Sequence, residues 1–177
     1  MKMRLFPSGK LVDPLTPDPD LIELADIAHA LSQINRFNGH TRFPYSVAQH
    51  SLLVCELLPE PAKLEGLMHD AVEAYVQDIV IPLKRVEKMR GYREIEDCWA
   101  EAVAKKFELG MTYWHDEVKL ADRKALATEL KQLVNIEDTV TVDGRVIHPV
   151  DIVIPRMIPE VVEDVFIATF IKLAGDR

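Results

Sequence analysis

Hydrophobic residues recur along most of the chain three to four positions apart, which is the spacing of an amphipathic helix. Prolines or glycines separate four such stretches, and the pattern predicts helices over about 61–77, 92–108, 115–136 and 159–174. Two earlier helices begin at the signal of a capping box, a small polar residue followed three positions later by Glu or Gln. The pairs are Asp20 with Glu23 and Ser46 with Gln49, and the second pair places His50 in the first turn of its helix.

Strand-like patterns are confined to two short segments. Apolar residues flank Pro7-Ser8-Gly9 in MRLFPSGKLVDPL, and β-branched residues flank Asp143-Gly144 in TVTVDGRVIHPV. Short turn sequences between strand-forming residues predict β-hairpins. Because no internal repeat or linker-like stretch is visible, the sequence predicts one all-α domain over residues 1–177 with one or two small hairpins.

Composition and charge narrow the possible partners. With 48% hydrophobic and 28% charged residues, a chain of 177 residues can bury one core. A formal net charge of -8 argues against a surface that binds nucleic acid or an anionic membrane. The absence of a signal-peptide core and of a run of roughly 18 apolar residues predicts a cytoplasmic protein. Cys55 and Cys98 lack a C-x-x-C pairing and are expected to be buried free thiols in a reducing compartment.

Polar residues interrupt the apolar pattern of one predicted helix, in the segment LEGLMHDAVEAYVQDIVIPLK. His69, Asp70 and Glu73 fall near one another there, because residues three and four apart share a helix face. A solvated polar face is the ordinary alternative, above all for Glu73. Two further ligand-type residues in helical settings strengthen a functional interpretation, namely His50 in SVAQHSLLV and Asp122 in EVKLADRKALATEL.

Two imidazoles and two carboxylates suit a divalent metal ion. Imidazole favours zinc, cobalt, iron or nickel, while carboxylates also accept manganese or magnesium. Four protein ligands leave coordination positions for water, which the ion acidifies into a nucleophile near neutral pH. The residues themselves therefore indicate metal-dependent hydrolysis, with the identity of the metal left open.

The order of these residues resembles a known signature. AQHS, MHDAVEAY and KLADRKALATE are similar to the H…HD…D motif of the HD-domain metal-dependent phosphohydrolases. The longer string RFNGHTRFPYSVAQHSLLV…HDAVEAYVQDIVIPLK resembles a small bacterial and phage branch, related to bacterial 5'-deoxynucleotidases and phage dATP triphosphohydrolases. The similarity runs from about Arg4 to near Val134. It implies an HD-domain helical bundle that hydrolyses deoxynucleotides through a metal-bound water.

The resemblance also implies roles for individual residues. Residue by residue, the metal ligands would be His50, His69, Asp70 and Asp122. Asp70 would also count as catalytic, beside Glu73, which would activate the attacking water or pass a proton to the leaving group.

Substrate binding would fall to residues around these ligands. Arg36 matches the arginine that holds substrate phosphate, and its planar donor fork suits that group. Asp78 and Lys84 match a segment expected to face sugar or phosphate, although Gln77 stands where that segment usually has glycine. Lys119 and His40 are the remaining candidate substrate contacts, with an ordinary surface position as the alternative for Lys119 and an ordinary turn role as the alternative for His40. The full set of candidate substrate contacts is Arg36, Asp78, Lys84, Lys119 and His40.

Two functional classes remain open after the sequence. The first is a phosphohydrolase whose small-molecule substrate is a deoxynucleoside triphosphate or monophosphate. The second is a non-catalytic, metal-stabilised nucleotide-binding or regulatory module. A homo-oligomer is also expected, because the apolar residues of 91–107 and 161–173 exceed what one small core needs.

Overall fold

The computed structural model describes residues 2–110, 115–136, 140–142 and 144–175. Helices dominate this part of the chain, and two short antiparallel hairpins accompany them, which confirms the predicted all-α class with small hairpins. The helices are α1 (Leu24–Gln33), α2 (Val47–Glu56), α3 (Lys63–Met68), α4 (Glu73–Val76), α5 (Ile81–Lys84), α6 (Arg90–Lys106), α7 (Asp116–Glu129) and α8 (Pro159–Gly175). Short 3-10 turns at Pro19–Leu21, Arg36–Gly39, Glu60–Ala62 and Glu87–Met89 connect some of them, and a π-helical turn, Leu130–Val134, extends α7.

The hairpins form where the sequence predicts them. β1 (Met3–Arg4) pairs with β2 (Leu11–Val12), and β3 (Val140–Val142) pairs with β4 (Arg145–Ile147). Gly144 in the second turn has φ of 75°, a left-handed conformation that glycine adopts without strain. Its predicted partner in the turn, Asp143, lies outside the described residues.

One of the two predicted capping boxes forms. The Ser46 hydroxyl accepts a hydrogen bond from the Gln49 amide N at 3.2 Å, and Gln49 Oε1 accepts from the Ser46 amide N at 3.4 Å. Helix α2 therefore begins at Val47, and His50 lies in its first turn.

The other predicted capping box, Asp20 with Glu23, is wrong. The Asp18 side chain accepts from the Asp20 amide and caps the 3-10 turn that starts at Pro19, so Asp20 lies inside that turn. Helix α1 starts afterwards, with Glu23 as the residue before its first turn.

The predicted helix over 61–77 is interrupted where the polar residues occur. Helix α3 ends at Met68, and two backbone hydrogen bonds then span three residues instead of four, from Ala71 N to Met68 O at 2.9 Å and from Glu73 N to Asp70 O at 3.0 Å. These tighter turns reorient the chain before α4 begins. Just before them, α3 packs closely on α2 at Gly66, where an added Cβ would lie 3.5 Å from Cys55 Cα of α2 and 2.2 Å from Leu58 Cδ1 just after that helix.

The main apolar core lies among α1, α3, α6 and α8. Its largest fully buried members include Trp99, Phe166, Ile27, Leu31 and Leu67. A second, smaller cluster joins α2, α7 and the segment before α8, with Val54, Val118, Ala125, Leu133 and Ile154 among its members. Helix α2 contributes to both clusters, with Val47 and Ala48 in the first and Leu53 and Val54 in the second, so it is packed on both sides.

Some side chains that the sequence predicts to be buried or to be exposed differ from that prediction in the structure. Cys55 is buried, but Cys98 is exposed on α6, so the prediction of two buried thiols is wrong for Cys98. Apolar residues of α6 pack into the core, whereas α8 leaves Val161, Val165 and Ile171 exposed. Among the described helices, none combines the length and apolar character that a membrane crossing requires.

Candidate metal centre

The side chains of His50, His69 and Asp122 meet although they come from three different elements. His50 Nε2 lies 3.2 Å from His69 Nε2 and 3.1 Å from Asp122 Oδ1. One ligand atom from each of the three residues falls within 4.8 Å of the others, so the cluster could hold a metal ion. The close contact between α2 and α3 brings the two imidazoles together, and α7 carries Asp122 to them.

Asp70 supplies a fourth potential ligand atom, the second oxygen, to the same cluster. Its Oδ2 lies 3.1 Å from His69 Nε2 and 3.5 Å from His50 Nε2. The turn after α3 makes this possible, because consecutive residues of a regular helix point about 100° apart. The break in the predicted helix therefore belongs to the geometry of the cluster.

The Nδ1 nitrogens of His69 and His50, which face away from the cluster, each have a hydrogen-bond partner that orients the ring. His69 Nδ1 lies 2.8 Å from the Gly66 carbonyl oxygen, which can only accept a hydrogen bond, so this nitrogen carries the proton. His50 Nδ1 lies 2.6 Å from Glu129 Oε1. Each Nε2 therefore faces the cluster and is the nitrogen available to a metal ion, as in histidines that bind metals through one nitrogen and are held by the other.

Electrostatics keep the carboxylates of the cluster ionised. Burial works to raise the pKa of Asp70, but the imidazoles of His69 and His50 hold that pKa below its usual range. The pKa of Asp122 is likewise lowered, because a hydrogen bond and charge from His50 outweigh burial. For His50, burial and the nearby guanidinium of Arg36 lower the pKa, but acceptors on Glu129 and Asp122 raise it to about 9.

Glu73 lies in the same cavity without joining the cluster. Its side chain is buried, with 6% of the residue exposed, and within the described part of the chain Oε2 has no hydrogen-bond partner. Burial raises the pKa of Glu73 well above its usual value, and the carboxylates of Asp70 and Asp78 raise it further. A buried carboxyl group with an unused oxygen can exchange a proton with a molecule in the cavity.

The cluster opens on a cavity of about 650 Å³. Its polar lining holds His69, Asp70, Asp122 and Glu73, together with the predicted substrate contacts Arg36, Asp78, Lys84 and Lys119. Its apolar lining is formed by Phe37, Ile79, Val80, Ile81, Pro82, Val118, Leu126 and Leu130. The cavity has the size and mixed lining typical of small-molecule sites.

The predicted cations of the cavity differ in their present contacts. Arg36 Nε and Nη2 each lie 3.2 Å from Glu129 Oε2, and Nη1 lies 3.7 Å from Asp70 Oδ2. Lys84 donates a hydrogen bond to the buried carboxylate of Glu96. Lys119 is the most exposed of the three, with 53% of its side chain exposed and a loose contact of 3.9 Å to Asp116.

Of the two other predicted substrate contacts, His40 and Asp78, only Asp78 lines the cavity. His40 is exposed in the loop after the 3-10 turn and does not belong to the described lining of the cavity, so the structure does not bring it to the site. Asp78 does line the cavity, and burial raises its pKa. Just before it, Gln77 has φ of 76° and ψ of 156°, a conformation that strongly favours glycine. The backbone therefore keeps the shape expected of a glycine at this position.

Glu129 is the site residue that the sequence reasoning missed. It is 0% exposed, and besides His50 Nδ1 and the two Arg36 nitrogens it accepts a hydrogen bond from the Tyr45 hydroxyl at 3.0 Å. Burial works to raise the pKa of Glu129, but Arg36 and His50 hold that pKa at about 2. One sequence signal points to it: Glu129 follows Asp122 by seven positions, so the two share a face of α7.

The sequence of the chain is similar to those of two bacterial proteins. The chain is 44% identical over 114 residues to uncharacterized protein YfdR of Escherichia coli (strain K12), a match that covers 64% of the chain and 62% of YfdR. It is 36% identical over 143 residues to uncharacterized protein RCAP_rcc00048 of Rhodobacter capsulatus, covering 74% of the chain and 72% of that protein. The match to YfdR thus spans less than two thirds of that relative's length.

No model of a described protein family matches the chain. The Rhodobacter relative, however, is similar over most of both sequences and at a level of identity that unrelated chains do not reach over such a length. The chain therefore belongs to the same protein family as RCAP_rcc00048 of Rhodobacter capsulatus.

Proposed function

We propose that this protein is a divalent-metal-dependent phosphohydrolase of the HD-domain type that acts on deoxynucleotides, either triphosphates or 5'-monophosphates. The observation that carries the proposal is the meeting of His50 Nε2, His69 Nε2 and Asp122 Oδ1 beside Asp70 at the wall of a cavity. The resemblance of the H…HD…D order to HD-domain phosphohydrolases agrees with this choice.

The donor set fits a divalent ion. His50, His69, Asp70 and Asp122 would hold it, because two imidazole nitrogens and two carboxylate oxygens match the ligand types of zinc, cobalt, manganese, nickel and iron, and carboxylates also suit magnesium. When bound, such an ion makes water a stronger nucleophile and neutralises charge on a phosphoryl group. The two carboxylates balance the charge of a divalent ion, which lowers the cost of burying it.

Glu73 is the residue placed to move protons. Its buried Oε2 is unpartnered within the described residues, and the side chain lines the cavity next to the ligand cluster. We assign it the role of orienting water and passing a proton to the leaving oxygen, which typically contributes about 10²–10⁴-fold to a rate.

The remaining lining supports a substrate that is anionic at one end. Lys84 and Lys119 bring positive charge to the cavity, while Ile79, Ile81 and Leu126 offer an apolar wall for an organic group. This division suits a phosphate ester or anhydride that carries a base and sugar. Asp78 can accept a hydrogen bond from a sugar hydroxyl. Because the overall charge of the chain is -8, local cations rather than the general surface must attract the phosphate.

A non-catalytic, metal-stabilised nucleotide-binding or regulatory module is the second candidate. Structural sites usually enclose their metal in four cysteine or histidine ligands, whereas this cluster uses carboxylates and lies at the wall of an open cavity. A purely structural site would also not explain the buried Glu73 oxygen, which has no hydrogen-bond partner among the described residues. Both features favour the enzyme.

The test is product release from mono- and triphosphates of all bases with added Co²⁺ or Mn²⁺. We expect the wild type to release phosphate or triphosphate only with the metal, and Asp70→Ala to lose that release. Asp97→Ala, which removes an exposed carboxylate on α6, is the matched control and should retain it. A binding module would bind the nucleotide but show no metal-dependent turnover in any of the three proteins.

A further inference from the structure

We infer that Glu129 is the positioning residue of the metal centre, a buried carboxylate that orients His50 and is itself held by Arg36 and Tyr45. The inference rests on the proposed function, since it assumes an ion at His50 Nε2. It adds a residue outside the set of four ligands. It also gives Arg36 a role that does not depend on substrate, which is to neutralise the charge of Glu129.

The contacts of Glu129 leave neither oxygen idle. Oε1 accepts hydrogen bonds from His50 Nδ1 at 2.6 Å and from the Tyr45 hydroxyl at 3.0 Å. Oε2 accepts from Arg36 Nε and lies equally close, at 3.2 Å, to Arg36 Nη2. Because Glu129 is 0% exposed, these side chains must replace the water that a carboxylate would otherwise require.

The hydrogen bond between Glu129 and His50 Nδ1 determines that Nε2 is the ring nitrogen available to a metal ion. With Nδ1 donating to Glu129, Nε2 is the nitrogen that points toward Asp122 and His69, and it offers its lone pair to an ion that displaces its proton. A carboxylate acceptor also makes the imidazole a stronger donor to a metal. His69 is held by the neutral Gly66 carbonyl instead, so the two histidine ligands have partners of different charge.

Charge balance explains why Arg36 lies beside Glu129. A divalent ion with Asp70 and Asp122 is formally neutral, so a buried Glu129 adds one negative charge that needs a cation. Arg36 supplies it through two nitrogens and also approaches Asp70 with Nη1 at 3.7 Å. A buried carboxylate without such a partner would be strongly destabilising.

This arrangement changes what an Arg36 substitution should do. Two of the three guanidinium nitrogens already face Glu129, whereas Nη1 lies 3.7 Å from Asp70 Oδ2. An arginine used only for phosphate would affect nucleotide binding alone. An arginine that neutralises Glu129 should also affect the affinity for the metal in the absence of nucleotide.

The experiment measures Co²⁺ affinity by competition with a chromogenic chelator, together with the visible spectrum of the bound Co²⁺, without any nucleotide. Glu129→Ala should weaken Co²⁺ binding by roughly 10–100-fold, the usual effect of removing the partner of a metal-bound histidine. Glu129→Gln keeps an oxygen that can accept from His50 Nδ1, so it should retain part of this affinity and shift the Co²⁺ spectrum, because the neutral amide weakens His50 as a donor.

Matched variants separate this role from a general loss of stability. Asp26→Asn alters another buried carboxylate, 3% exposed, whose hydrogen bonds come from Ser8. It should leave the Co²⁺ affinity and spectrum unchanged. If Glu129→Ala does not fold, the double variant Arg36→Gln with Glu129→Gln removes both charges and should fold, with a Co²⁺ affinity still below that of the wild type.

The outcomes distinguish this inference from the proposed function. Wild-type Co²⁺ affinity and spectrum in the Glu129 variants would overturn the positioning role while leaving the metal centre and its activity standing. Failure of the wild type to bind Co²⁺ would overturn both. A tenfold or greater loss in Glu129→Ala, with partial rescue in Glu129→Gln and a shifted spectrum, supports the inference.

Discussion

The apolar core among α1, α3, α6 and α8 and the polar cluster between α2, α3 and α7 are stabilised in different ways. The core consists of side chains such as Phe166 and Trp99, which are 0% exposed and depend on close packing. The polar cluster buries His50 and Glu129 just as completely, but through hydrogen bonds and opposite charges. Packing tolerates exchanges of similar volume, whereas a buried charge tolerates none that removes its partner.

This difference predicts that the two regions can be damaged separately. A core substitution should lower the free energy of unfolding and leave the properties of the folded molecules intact. A substitution in the cluster should change binding or turnover, with a smaller effect on the fold. The following changes test this separation.

The largest effect is expected at Glu73. Glu73→Gln keeps the size and hydrogen-bonding capacity of the side chain but removes its ability to accept and release a proton. Turnover should fall by roughly 10²–10⁴-fold, with metal content and substrate affinity little changed. Steady-state kinetics and elemental analysis on the same preparation check this. Glu101→Gln, on the exposed surface of α6, serves as control, and near-normal turnover in Glu73→Gln would return Glu73 to an ordinary buried residue.

A core substitution should act in the opposite way. Phe166→Ala removes a fully buried ring of α8 and should cost about 3–5 kcal/mol of unfolding free energy. Phe166→Leu should cost less, because it leaves a smaller cavity. Denaturant titration measures the loss, and Co²⁺ titration below the transition should show unchanged affinity in the folded protein. A large loss of Co²⁺ affinity would show that core and cluster are not separable.

The exposed apolar face of α8 should affect assembly. We propose that the protein forms a homo-oligomer through Val161 and Val165, which are one helical turn apart and both exposed. Val165→Asp would bury an unpaired carboxylate in such an interface and should raise the dissociation constant at least about tenfold. Light scattering over a range of concentrations measures this, with Val146→Asp on the exposed hairpin as control. A wild-type protein that is monomeric at micromolar concentration contradicts the proposal.

The smallest effect is expected at Gln77, next to the cavity. Its φ of 76° and ψ of 156° cost a residue with a side chain about 1–3 kcal/mol. Gln77→Gly relieves this strain but enlarges the freedom of the unfolded chain, so a net gain of about 1 kcal/mol is expected. The same change at Glu101 within α6 should instead lose about 1 kcal/mol. Denaturant midpoints compare the two variants, and a loss at both positions would refute the strain.

The sequence predicted those features that depend on neighbouring residues. The box of Ser46 and Gln49 fixes the start of α2 because its two hydrogen bonds need nothing from elsewhere in the chain. The box of Asp20 and Glu23 failed because Asp18, just before Pro19, offered a competing local cap. The interruption after α3 was missed because its two tighter backbone hydrogen bonds leave no mark in the spacing of the apolar residues.

The same limit applies to the candidate site. The order of His50, His69, Asp70 and Asp122 was readable, and the structure places these four side chains together. Glu129 was not recognised because its partners Arg36 and Tyr45 lie 93 and 84 positions away in sequence. His40 was included because loops before a site often carry function, yet it is exposed and is not among the residues that line the cavity.

The central claim is tested most directly by the divalent metal content of the purified protein. After incubation with Co²⁺ or Mn²⁺ and removal of free ions, elemental analysis of the wild type should give one tightly held ion per chain. His50→Ala and Asp122→Ala should lose that ion while keeping their helical circular dichroism, since each removes one ligand of the cluster. Full occupancy in both variants would contradict the assignment of the metal centre to these residues.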